Sequence, residues 1–163
     1  MSDIQSVSAT VEDNISNRYL TFTLGQTIYG LELFRVVDIL TIPAITPVPG
    51  IPSYIKGVTN LRGKIVPVID VRTKFNQPEI EYNDKTCIIV VVIHDMQVGL
   101  IVDTVSDVVT IQSNEFTNPP EFGGNESNKY LSTIAHTDGH IVLNIDCEKF
   151  FANDLDMFSI GGM

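Results

Sequence analysis

Three histidines, His94, His136 and His140, are the side chains best suited by type to hold a metal or to act as a general base near neutral pH. Their spacing supports neither role. His136 and His140 flank the hairpin turn Thr137-Asp138-Gly139 instead of sharing a helix face, and no cysteine lies near enough to complete a zinc set. The carboxylates Asp38, Asp70, Asp103, Asp107 and Asp146 could supply an acid–base pair. An active site is usually asymmetric, however, and four of these acids recur as equivalent pairs, Asp38 with Asp107 and Asp70 with Asp146. That recurrence predicts capping or turn chemistry at strand ends. The chain contains no HExxH, GxSxG elbow, P-loop or GxGxxG, and Gly123-Gly124 in a polar stretch supplies flexibility only. The residues therefore predict no catalytic group, no metal ligand and no cofactor site, and the chain is expected not to be an enzyme.

Composition narrows the partners. The chain has 163 residues, 44% of them hydrophobic, which is enough for a core without disulfides or metals. Its formal charge of −10 repels phosphate backbones and anionic lipid, so nucleic acid is not expected as a partner. The N-terminus lacks a basic start followed by an apolar run, and no window reaches the ~18 apolar residues of a membrane span. A cytoplasmic protein without direct membrane insertion is expected. Cys87 and Cys147 lie far apart in apolar stretches, without CxxC spacing, and read as buried, reduced thiols.

The elements that would position any site are strands. In RYLTFTL, Leu20, Phe22 and Leu24 alternate with Thr21 and Thr23, the period of a half-buried strand. Later runs, GKIVPVIDV, TCIIVVVI, VGLIV, VVTI and HIVLNI, are rich in Val and Ile and separated by turn residues. Short helical turns are expected at GIPSYIKG, with Pro52 first and Gly57 as the stop, and after Asp70 and Asp146 as N-caps. Residues 1–16 are polar and aperiodic and are expected to form a mobile tail, with a second tail over 152–163.

The chain also repeats itself. A shift of 69 lays Gly30, Leu31, Val36, Asp38, Thr41 and Ile42 on Gly99, Leu100, Val105, Asp107, Thr110 and Ile111. A shift of 76 lays Tyr54, Gly63, Ile65, Val66, Ile69, Asp70 and Phe75 on Tyr130, Gly139, Ile141, Val142, Ile145, Asp146 and Phe151. The difference places an insertion in the polar stretch from Gln112 to Asn128, read as a surface loop. Each copy has about five short strands and would be marginal alone, so the copies should share a core under pseudo-twofold symmetry.

The segments YLTFTLGQTIYGLELFRVVDIL, KGVTNLRGKIVPVIDVR (56–72) and VGLIVDTVSDVV (98–109) closely resemble the CheW family, from about Arg18 to Phe151. The resemblance implies an all-β domain over 17–151, built as two intertwined five-stranded SH3-like barrels with short helical turns. The first barrel copy would cover about 18–80 and the second about 81–151, with exchange of strands between them left open. It also implies an adaptor that binds the cytoplasmic hairpin tip of methyl-accepting chemoreceptors and the regulatory domain of the CheA kinase, recruited to membrane-associated receptor arrays. A stand-alone adaptor, without a phosphate-accepting receiver domain or a kinase ATP-binding domain, is expected. A CheW-like regulator that binds one partner only, or serves a non-chemotactic array, is the alternative; a small β-barrel ligand-binding protein or hydrolase is a more distant one.

Carried over position by position, the resemblance implies a receptor groove at Val36, Asp38, Gly57, Arg62, Val105 and Val108, and assigns no kinase-contact residues. Asp38 stands where the family often has glutamate, which shortens the acidic arm. The valines could equally be core residues of strands, and Gly57 a purely structural stop. Arg62 differs from these. It sits in a turn between apolar strands, and its counterpart under the 76-residue shift is Asp138, so a role confined to one copy is expected.

Overall fold

The structure, a computed structural model, describes residues 17–119 and 129–155; the expected N-terminal tail, Gly123-Gly124 and residues 156–163 lie outside them. Among the described residues eleven strands follow in chain order: β1 (Arg18–Leu24), β2 (Thr27–Glu32), β3 (Val36–Thr41), β4 (Ile55–Leu61), β5 (Lys64–Asp70), β6 (Cys87–Ile93), β7 (Met96–Val102), β8 (Thr104–Thr110), β9 (Phe116–Thr117), β10 (Leu131–Thr137) and β11 (His140–Ile145). One sheet has the order β8-β1-β2-β11-β10-β9 and the other β3-β6-β7-β5-β4. Under the shifts of 69 and 76, β1, β2, β3, β4 and β5 correspond to β6, β7, β8, β10 and β11, so apart from the added edge strand β9 the two sheets have the same order with the copies interchanged. Each barrel joins the first hairpin of one copy to the last three strands of the other. A division near residue 80 separates the copies but not the barrels.

This interlacing explains the runs without alternation. In β6, Ile88 and Val90 face a barrel interior with Val68 and Ile101, while Ile89, Val91 and Ile93 face the core shared between the barrels. A strand buried on both faces has no polar side to show. The shared core contains Phe22, Tyr29, Phe75, Tyr130, Phe150 and Phe151, whose rings contact one another in sequence at centroid separations of 5.0–5.7 Å. The interior of the other barrel is centred on Tyr19, Ile111, Ala135 and Val142.

Asp70 and Asp146 cap one-turn helices, Val71–Lys74 and Cys147–Phe150, each accepting the amide of its third following residue at 3.2 Å. The helix expected between Pro52 and Gly57 is absent. The Ile55 amide instead closes a turn on the Pro52 carbonyl and Gly57 lies inside β4, because the chain from Ile55 onward pairs with β5. Asp38 and Asp107 are not at strand ends either: each sits beside a bulge within β3 or β8. Both cysteines are free, Cys147 buried and Cys87 only half-buried. Part of the expected loop after Gln112 is ordered, as a 3-10 turn at Ser113–Glu115 and as β9.

The last described residues are not a tail. Asp154 is fully buried and pairs with Lys74, while Tyr54 donates its hydroxyl to the other Asp154 oxygen at 2.5 Å. The ammonium lies over the rings of Tyr54, Phe150 and Tyr130. Burial pushes the Lys74 pKa down against the pull of Asp154, so the pair survives only while both partners are present. Asp154→Ala is therefore expected to cost about 3–5 kcal/mol in urea unfolding, and the double change Lys74→Met with Asp154→Leu to recover most of that.

A second ion pair ties the barrels together. Asp103, between β7 and β8, accepts from Arg72 at 2.8 and 2.6 Å and from the Gly25 amide at 2.7 Å. The Arg72 hydrogen bonds hold its carboxyl below the usual carboxylate range despite partial burial. A folded-state pKa below the unfolded one gives stability that is present above the unfolded value and lost as pH falls through the folded value. Asp103→Asn is expected to lower stability at about pH 7 and to flatten its decline below about pH 4, as read by urea midpoints across that range.

Candidate functional site

The β4–β5 hairpin turns on Arg62 and Gly63, with φ of 53° and 82°, and the β10–β11 hairpin on Asp138 and Gly139, with 52° and 78°. Both therefore have the two positive-φ central residues of a type I′ turn, which favours Asn-Gly and Asp-Gly. Asp138 obeys that preference. Arg62 does not, and an arginine held in the left-handed region costs backbone strain that asparagine would largely avoid. Its side chain is 82% exposed, so packing does not explain why it is there.

Arg62 reaches Asp38 at 2.8 Å. β3 and β4 stand at opposite ends of their sheet order, so this contact marks where the sheet curls into a barrel; the Thr46–Val58 bridge closes it further. The other Asp38 oxygen accepts the Ile39 amide at 2.9 Å, and Asp107 accepts that of Val108 at 2.8 Å in the second copy. Around the Arg62–Asp38 pair is a hollow of about 150 Å³ lined by Val37, Leu61, Lys64, Val90 and Gln97. Small-molecule sites occupy ~300–1,000 Å³, so this one suits a partner's side chain better than a metabolite. Lys64 follows Arg62 in the same hairpin, but nothing in the sequence marks Val37 and Gln97 as neighbours of Arg62, because only barrel closure brings β3 and β7 to that mouth.

The remaining positions fall into two environments. Val36, Val105 and Val108 are half-buried and pack on the rim of the shared core, Val36 and Val105 at equivalent places on β3 and β8. Gly57 is buried at a register shift in β4, with φ of 142°, and a Cβ there would lie 2.0 Å from the Thr46 carbonyl oxygen. It shapes the barrel wall from within. Among the described residues no group of three His, Cys, Asp or Glu could hold a metal ion, and no helix is long and apolar enough to cross a membrane.

The model of the CheW-like domain matches residues 18–154, the span that holds both interlaced sheets and their shared aromatic core. The chain belongs to that family. It is 34% identical over 154 residues to the chemotaxis protein CheW of Klebsiella aerogenes, covering 94% of this chain and 93% of the relative. The chemotaxis protein CheW of Bacillus subtilis is also 34% identical, over 84% of this chain and 88% of its own. The crystal structure of the scaffolding protein TtCheW from Thermoanaerobacter tengcongensis superposes with a TM-score of 0.79 at 32% identity, covering 85% and 94% of the two chains. The CheW-like domain extends to the residue that pairs with Lys74, consistent with Asp154 closing the fold.

Two substitutions separate scaffold from surface. Gly57→Ala is expected to destabilise the domain by more than about 2 kcal/mol, because both the backbone and the Thr46 carbonyl oppose a side chain. Arg62→Asn should keep or raise stability by up to ~1 kcal/mol, since the turn gains a favoured residue and loses only an exposed ion pair. Urea midpoints of the two variants and the parent measure both effects.

Proposed function

We propose that the chain is a non-catalytic cytoplasmic adaptor that couples the hairpin tips of methyl-accepting chemoreceptors to the CheA histidine kinase, recruited to the receptor arrays at the membrane. The observation that carries this reading is a strained, exposed arginine paired with Asp38, in a domain whose shared core is rimmed by three half-buried valines. A helical hairpin is recognised by laying an apolar stripe into such a groove. Val36, Val105 and Val108 would supply the apolar floor, and Asp38 and Arg62 a polar stop that fixes register. Gly57 would act indirectly, by shaping β4. The chemotaxis names of the CheW relatives, and the description of TtCheW as a scaffolding protein, agree with this reading.

Val108→Asp is expected to weaken binding of a receptor tip fragment about tenfold or more while the protein stays folded by circular dichroism. Arg62→Ala should remain folded and bind at least one partner, yet fail to place kinase autophosphorylation under receptor control in a reconstituted assay. Unchanged receptor affinity of folded Val108→Asp, together with normal kinase control by Arg62→Ala, would sink the proposal.

A further inference from the structure

Val105 and Val108 are three residues apart on β8, an odd separation that puts side chains on opposite faces of a regular strand. Both nevertheless pack on the shared core. The register explains it: Phe22 pairs with Val105 and Thr21 with Asp107, so Ser106 is an extra residue, and beyond this bulge the faces of β8 are exchanged. Side chains satisfy the backbone around it. The Thr21 hydroxyl donates to the Asp107 carbonyl at 3.0 Å and accepts the Asp107 amide at 3.2 Å, while the Asp107 carboxylate accepts the Val108 amide at 2.8 Å. Thr21 is 4% exposed, so water does not replace its two hydrogen bonds.

The first copy holds its bulge differently. The residue equivalent to Thr21 is Val90, which pairs with Asp38 and packs among Val68, Ile88 and Ile101. A valine has no hydroxyl to offer the β3 bulge, and Arg62 holds Asp38 from outside at 2.8 Å instead. The counterpart of Arg62, Asp138, cannot do this for Asp107, because both are acids.

We infer that Thr21 is a positioning residue for the receptor groove: its hydroxyl pins the β8 bulge, and the bulge turns Val105 and Val108 to the same face. The inference rests on the receptor-binding reading of those valines. An extra residue in a strand can migrate when the register on either side of it slips. Anchoring Asp107 from the buried side holds it at Ser106. Were it to pass either valine, the two would face apart, and a helix laid in the groove would meet only one of them.

Titration calorimetry of the full chain with a receptor tip fragment and, separately, with a CheA regulatory fragment tests it. Thr21→Val gives the β8 bulge the valine that accompanies the β3 bulge. It is expected to weaken receptor binding about tenfold and to leave kinase-fragment binding within about twofold of the parent. Thr21→Ser keeps a hydroxyl and should bind the receptor fragment like the parent. So should Thr23→Val, which removes a hydroxyl contact with Thr104 at 2.6 Å on the same strand pair but outside the bulge. Amide hydrogen exchange at Asp107 should quicken in Thr21→Val and not in Thr23→Val. Equal weakening by Thr23→Val would overturn the inference, since any loosening of β1 against β8 would then suffice. Parental receptor binding by Thr21→Val, with weak binding by Val108→Asp, would overturn it and leave the groove reading standing; parental binding by both would sink the two together. Should Thr21→Val lose its native circular dichroism, Thr21→Ala takes its place. Loss of the fold in both would overturn the inference, making the hydroxyl a requirement of the barrel and not of the groove.

Discussion

Burial of β1 and β6 on both faces is the constraint from which the rest of the architecture follows. Leu20, Phe22 and Leu24 of β1, and Ile89, Val91 and Ile93 of β6, enter one core between the barrels, while their neighbours Tyr19 and Ile88 fill the separate interiors. A hairpin with two apolar faces cannot be satisfied by its own copy, whose remaining strands cover one face only. Lending β1–β2 to the second copy and β6–β7 to the first solves both burials at once. The parallel pairings β2–β11 and β5–β7 are the seams of that exchange.

On this nearly symmetric frame, closure of the fold depends on the departures from symmetry. Lys74 occupies the position equivalent to Phe150, and its charge is what draws Asp154 into the core. The corner that Arg72, Asp103 and Gly25 lock on one side is held on the other by an exposed pair, His94 with Glu148 at 2.8 Å, with Phe34 standing uncovered where Asp103 would be. Val68, buried among Ile88, Val90 and Ile101, corresponds to Asn144, whose buried Oδ1 has no hydrogen-bond partner among the described residues and faces Gly30. The glycine Cα approaches that oxygen closely enough that no side chain could stand there, so Gly30 and Asn144 form one packing unit.

The duplication was legible because identical backbone demands recur: Gly63 and Gly139 in left-handed turns, Asp70 and Asp146 as caps. Which copy supplies each barrel's strands was not, since side-chain periodicity reports faces and says nothing about neighbours. The helix expected from Pro52 to Gly57 failed for a related reason. A proline followed five residues later by glycine marks a helix and a turn with a bulge equally well, and pairing with β5 decides between them. At the candidate site, Arg62 stood out as a break in the repeat. Its contact with Asp38 required barrel closure, which no local pattern encodes. The valines could be read only as apolar; that they rim the shared core instead of filling a barrel depends on the bulges in β3 and β8.

The exchange of hairpins has a consequence for how the chain is made. A nascent chain emerging from the ribosome with residues 18–80 complete holds β1 to β5 but no finished barrel, because β1–β2 await β8, β10 and β11, and β3 to β5 await β6–β7. The pairing of β2 with β11 spans more than a hundred positions, and such distant contacts slow folding. The barrel of β3 to β7 can therefore close only once β7 (Met96–Val102) has been made, and the other only after β11 (His140–Ile145). Until then the apolar faces of the first hairpin remain open to chaperones, or to another unfinished copy that could donate the missing strands. An arrangement that gives the mature protein one indivisible core leaves its first half, while it is being translated, without a stable structure of its own.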